Sequence, residues 1–252
     1  MLTVQDKLKD FPTINLISLN ESSVRRAFMS YQFELYGIKK YKFNLVERFT
    51  KISQNYKLTG PYIDFCKSNG TTISHLNSMR DWYLNTTEEY GYFGDDDFTF
   101  DTVQYWNFTW NDILERMPPD WDGLQLIRVD HELQDEPGRY GSELKLLLGR
   151  WWGISCVLKR DYVRRLLEKT MLGMNHIHLE CGDHIPIAED ILFLNGRVYN
   201  LPLIFDNCDL PTTYTDKPKV DTPDYHKYCK EYFLNLWTPA GIYNSIDDIM
   251  KI

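Results

Sequence analysis

Three consecutive carboxylates, Asp95, Asp96 and Asp97, follow the aromatic run Glu89-Tyr90-Gly91-Tyr92-Phe93-Gly94. The run has strand character, and side chains at i and i+2 of an extended segment point the same way. Continued extension predicts Asp95 and Asp97 projecting together, with Asp96 turned away. Packed carboxylates repel one another unless a cation neutralises them. An all-oxygen set of this kind suits a hard ion such as Mg²⁺ or Mn²⁺. The alternative is a helix cap or a solvated turn. An EF-hand register from Asp95 requires Gly and Glu where the chain has Phe100 and Trp106, which argues against a calcium loop of that type.

Other residues with chemical potential lie at element starts. Glu189-Asp190 directly precedes the apolar run Ile191-Leu192-Phe193, as a reactive acid pair or as first-turn acids favoured by the helix dipole. Arg25 and Arg26 fall in the first turn of an expected helix, where the dipole disfavours cations. Phosphate binding would explain that placement, and a surface arginine pair is the plainer reading. Ser74 and His75 stand near the expected start of another helix, able to offer a hydroxyl and a ring N–H. His75 reads equally well as a structural residue. His176, His178, Cys181, Asp183 and His184 cluster, but without the paired spacing of a structural zinc site.

These groups need a frame to hold them. Thr13–Leu19 reads as a first strand, and Asn20-Glu21-Ser22-Ser23 as the cap of a helix ending near Leu35, with Gly37 as its stop. Tyr41–Val46 is the second strand. A helix is expected from about Gly70 to Leu84, then the aspartate strand. Residues 101–117 suit a helix stopped by Pro118-Pro119. A strand is expected at 121–127, a polar loop over 130–143, and a strand then a helix over 150–168. Asp224–Trp237 reads as a closing helix. Strand, loop and helix from the start predict an α/β fold with a mostly parallel central sheet flanked by helices.

Composition narrows the function. The 252 residues suffice for one large α/β domain, and the net charge of −8 argues against a broad nucleic-acid surface. No apolar run approaches membrane-spanning length, and the N-terminus lacks a signal core. The five cysteines are odd in number and widely spaced, as reduced thiols are. A cytoplasmic protein without a transmembrane segment is the expectation. The aromatic content of 15% is compatible with stacking on sugar or base rings, and equally with a dense core.

Taken in order, Ile14-Asn15-Leu16, Ser23-x-Arg25-Arg26, Gly70-x-x-x-Ser74-His75, Asp95-Asp96-Asp97, the strand–helix pair at 151–168 and Glu189-Asp190 form one series. The series resembles the glycosyltransferase family that includes bacterial lipooligosaccharide galactosyltransferases and collagen galactosyltransferase domains. The likeness spans about residues 13–205. It departs from the family's pattern at Asp95, commonly Glu there, at Gly94, commonly aliphatic, and at Thr71, where Cys is usual.

The resemblance implies a GT-A-like fold over residues 1–205, with a donor half of about 13–127 and an acceptor half of about 128–205. Residues 206–252 would be an extension with a terminal helix. It further implies inverting transfer of a sugar from a nucleotide-diphosphate sugar, a UDP-sugar being favoured, to a glycan or other hydroxyl acceptor. Asp95 and Asp97 would hold Mn²⁺ or Mg²⁺, and Asp190 would be the base, with Glu189 as neighbour or substitute. Arg25, Arg26, Ser74, His75, Asp96, Trp151 and Trp152 are the donor- or sugar-contacting candidates. A non-catalytic binding protein and a nucleotidyltransferase using the same acids stay open beside this reading. The sequence names no oligomeric state.

Overall fold

The computed structural model describes residues 2–48, 56–60, 66–129, 145–146, 153–173, 175–180, 187–210, 224–237 and 245–250. Trp151, Trp152, Cys181, Asp183, His184 and the polar loop 130–143 lie outside the described residues.

In chain order the elements are α1 (Val4–Lys7), β1 (Ile14–Leu19), α2 (Ser23–Tyr36), β2 (Tyr41–Val46), β3 (Lys57–Thr59) and α3 (Cys66–Asn85). Then come β4 (Tyr90–Gly94), β5 (Phe98–Thr99), a 3₁₀ turn (Val103–Tyr105), α4 (Trp110–Arg116), β6 (Gly123–Gln125) and β7 (Lys145–Leu146). The remainder are β8 (Ser155–Lys159), α5 (Arg160–Thr170), β9 (Met171–Gly173), β10 (His176–His178), α6 (Ala188–Phe193), β11 (Val198–Asn200), β12 (Phe205–Asp206), α7 (Asp224–Trp237) and α8 (Ile246–Ile249). Among the described residues, no helix is long and apolar enough to cross a membrane.

The protein is α/β, with a seven-stranded sheet in the order β2-β1-β4-β8-β6-β11-β7. The sheet is mixed. The β1–β2, β1–β4 and β6–β11 pairs are parallel, whereas β4–β8, β6–β8 and β7–β11 are antiparallel. The expected mostly parallel sheet therefore gives way to one in which β8 runs against both its neighbours. An apolar run such as Ile154–Leu158 reads alike in either direction, and the connections, not the hydrophobic pattern, set its sense.

Both faces of the sheet are covered. Tyr92, Val157 and Leu124 point into one core with Met29, Phe33 and Trp110. Their neighbours Phe93, Cys156 and Leu158 point into the other, with Leu76, Met79, Trp82, Val163 and Ile191. Alternation along each strand explains the division. Helix α3 packs on β1 and β4 and against α5 and α6, so it spans the centre of the second core.

Several helices differ from the sequence pattern. α3 begins at Cys66, so His75 sits more than two turns inside it and not at its start. Nothing between Cys66 and Gly70 breaks a helix except Gly70 itself, whose cost of about 1 kcal/mol is outweighed by packing. Residues 101–117 divide into the 3₁₀ turn and α4, because Thr109 and Asp112 form a capping box that restarts the helix at Trp110. α2 ends where expected, on Gly37 at φ 71.

Leu76 is fully buried beside His75. Leu76→Ala should cost about 3 kcal/mol in urea unfolding, within the usual range for a core leucine.

Candidate functional site

The sheet register builds the acidic turn. Leu16 of β1 lies opposite Gly94 of β4, so Ser18, two residues on, runs beside Asp96. The Ser18 hydroxyl donates to Asp96 Oδ2. On the other side Gly94 faces Ser155 of β8, and the Asp95 N–H donates to the Ile154 carbonyl at 3.1 Å. Gly94 is held to a small residue by crowding: a Cβ there would lie 3.0 Å from the Tyr92 ring and 3.1 Å from the Ile154 oxygen.

Strand β4 ends at Gly94, so the triplet is a turn and the alternation expected from an extended chain stops there. Asp96 and Asp97 converge on one cation: Arg25 Nη1 lies 3.0 Å from Asp96 Oδ1 and 2.8 Å from Asp97 Oδ2. Asp95 diverges from them. Its Oδ1 lies 3.2 Å from Nε2 of the fully buried His75, where an Nε2–H donates to the carboxylate. His75 Nδ1 has no hydrogen-bond partner among the described residues.

The other candidates are accounted for as follows. Arg26 closes the β1–α2 turn, donating from Nη1 to Ser18 Oγ at 3.0 Å and to the Leu19 carbonyl, and from Nη2 to the Asn20 carbonyl at 2.9 Å. Ser74 Oγ donates to Gly70 O at 2.7 Å, within its own helix. In α6 the two acids part company. Asp190 is buried and its Oδ2 accepts the Ile187 N–H at 3.4 Å, as a first-turn carboxylate does. Glu189 faces back toward the acidic turn, and its Oε1 accepts the Gly153 N–H at 3.2 Å.

Two further residues belong to the site. Strand β12 pairs with β5, opposing Asp206 to Phe98, and sets the Asp206 carboxylate near Asp97. Asp206 Oδ2 in turn lies 2.7 Å from Nδ1 of His226 on α7. The signal in the sequence was modest but present: Asp206 ends the apolar run Leu201–Phe205 as Asp95 ends its own. Ser18 carried no signal beyond its place at a strand end.

Electrostatically the site is over-supplied with acid. Burial pushes the Asp97 carboxyl up to about 7, Arg25 opposing the rise and Asp206, Asp95 and Asp96 adding to it. Burial also raises Asp96, against the Ser18 and Arg25 bonds. Glu189 is raised by burial, opposed by its own N–H, that of Gly153 and the charge of His75, with Asp95 adding to the rise. A divalent ion would relieve that surplus. Among the described residues no three of His, Cys, Asp and Glu stand close enough to enclose an ion unaided. Asp95 and Asp97 keep part of each carboxylate at the surface, 38% and 28% exposed at the side chain, with Asp95 engaged by His75 and Asp97 by Arg25; they offer the oxygen ligands a hard ion takes, without a preformed cage.

No protein-family model matches the chain, and no curated protein matches it. The solved structures to which it is similar include the crystal structure of A197 from STIV. That likeness has a TM-score of 0.43 and 12% identity, covering 77% of this chain and 84% of that one, and it carries no assignment.

The raised Asp97 gives a signed prediction. Between the ordinary carboxylate range and about pH 7, the folded chain holds a proton that the unfolded chain has lost. Stability therefore falls as pH rises through that window. Asp97→Asn lacks this dependence, so its melting temperature relative to wild type should rise between about pH 4 and about pH 8 in thermal scans, on top of a fixed cost for losing the Arg25 contact.

Proposed function

We propose that the protein is a metal-dependent, inverting glycosyltransferase of GT-A-like fold, transferring a sugar from a nucleotide-diphosphate donor to a hydroxyl acceptor. The observation that carries this reading is the meeting of the Asp95–Asp97 turn with Glu189 at the carboxyl end of β4. The crevice outside the carboxyl ends of strands is where open α/β sheets bind ligands.

In this reading Asp95 and Asp97 are the metal ligands. A bound Mn²⁺ or Mg²⁺ would supply positive charge to the departing diphosphate. Arg25 and Ser18 fix Asp96 and with it the shape of the turn, while His75 orients Asp95. Glu189 is the base. It takes the proton from the acceptor hydroxyl as that oxygen bonds to the anomeric carbon. The bond from that carbon to the diphosphate oxygen breaks on the opposite face, and the nucleoside diphosphate leaves with the electron pair. A carboxyl held above its ordinary value is a better proton acceptor than an exposed one. Geometry favours Glu189 over Asp190 for this role, because Asp190 is turned into its own helix start.

A binding protein without turnover is the second reading. It draws on Arg25, which already offsets charge on two of the three aspartates. A nucleotidyltransferase using the same acids would release pyrophosphate instead of a nucleoside diphosphate.

The test is thermal unfolding with UDP, GDP, ADP and their sugars, with and without Mn²⁺, followed by product analysis. A true ligand at a hundred times its Kd adds about 2.7 kcal/mol. Metal-dependent stabilisation by one nucleotide series, lost in Asp95→Asn, is expected. Glu189→Gln should then lower kcat by about 10²–10⁴. Asp190→Asn should instead lose on the order of 1 kcal/mol of stability as a weakened helix start. No shift with any nucleotide would favour another class, and full turnover in Glu189→Gln would remove it as base.

A further inference from the structure

We infer that Gln125 and Asn200 are positioning residues for Glu189, acting through the Gly153 peptide groups; this rests on the role proposed for Glu189. Both are fully buried amides at the carboxyl ends of adjacent parallel strands, paired directly in register. Burying amide groups is costly unless they are hydrogen-bonded, and an apolar pair would fill the same space. Here the bonds form a directed chain. Arg128, itself 1% exposed, donates from Nε to Asn200 Oδ1 at 2.6 Å. Asn200 Nδ2 donates to Gln125 Oε1 at 2.9 Å and to the Ile127 carbonyl at 2.7 Å. That fixes which end of the Gln125 amide is the donor. Gln125 Nε2 then donates to the Gly153 carbonyl at 2.8 Å.

Gly153 is thus gripped at both ends: its carbonyl by Gln125, its N–H by Glu189. Its φ of 104 is one that favours glycine, and a Cβ there would lie 2.9 Å from Ile127 Cγ2. The next residue, Ile154, accepts the Asp95 N–H. The Gly153-Ile154 segment therefore stands between the two acids, and the buried amides set where it lies. Small displacements of a reacting group are costly, about 10²-fold per ångström. Losing the Gln125 bond should accordingly appear in turnover more than in donor binding.

Gln125→Met tests this, since it keeps length and volume but removes the side-chain hydrogen bonds to Gly153 and Asn200. The readouts are thermal melting, amide exchange at Gly153 by NMR, and Mn²⁺-dependent hydrolysis of a panel of UDP- and GDP-sugars. The expected result is a folded protein with Gly153 exchange at least ten-fold faster. For the sugar that wild type turns over, kcat should fall at least ten-fold while KM stays within about three-fold. Asn200→Asp, which keeps the acceptor for Arg128 but loses the donor to Gln125, should show the same split and serves if Gln125→Met does not fold. Unchanged exchange, wild-type kcat, or a fall only in parallel with melting temperature would overturn the proposal. Wild-type protein inert toward every sugar would count against the glycosyltransferase reading instead, and Gly153 exchange in the variants would still decide whether the amides hold that segment.

Discussion

The site is organised by one buried cation. Arg25 is only 6% exposed and touches two adjacent carboxylates with a single nitrogen. A charge so placed is costly to desolvate, and its attraction to two partners repays that cost only while both stay in reach. The β1–α2 turn, the acidic turn and the start of α2 are therefore mutually fixed. Ser18 reinforces the arrangement by donating to Asp96 while accepting from Arg26. The helix dipole, which disfavours a cation in the first turn of α2, is overcome by local carboxylate charge. Even so, burial and three neighbouring acids leave Asp97 with a carboxyl that protonates near neutrality, so Arg25 does not complete the charge balance.

The two acids at the start of α6 show how one residue of register sends neighbouring carboxylates to different surroundings. At the third helical position Asp190 can reach back to the backbone before the helix, and it does. At the second, Glu189 projects off the helix end, and its longer side chain reaches Gly153. Both are acids in a first turn and both benefit from the dipole. Glu189, which leaves the helix, feels the charges of Asp95 and His75, the first raising its carboxyl and the second opposing the rise.

Much of the frame was legible in the sequence because local signals agreed with the final packing. The first strand, the helix after it with its Gly37 stop, and the second strand follow from apolar runs and turn residues within about 35 positions, although Ser22 at the head of α2 makes no side-chain capping bond. α7 is likewise where its pattern puts it. The direction of β8 was not legible, since burial on both faces erases any mark of polarity. Nor was the early start of α3, where packing on β1, β4, α5 and α6 extends a helix through Gly70. In the site, the acid turn and Glu189 were marked by charge beside apolar runs. Gln125, Asn200, Ser18 and Gly153 carry no charge, and their roles arise from strand register across long sequence separations.

Those separations bear on how the chain reaches its fold. Gln125 and Asn200 meet across 75 residues, and Ser18 and Asp96 across 78. β1 and β2 pair across a single helix, so one half of the sheet can assemble early from nearby chain. Parallel pairing of β6 with β11 pays the entropy of closing a long loop before any contact rewards it. The amide pair and the Gly153 segment it holds thus depend on contacts of high sequence separation, the kind that slow folding.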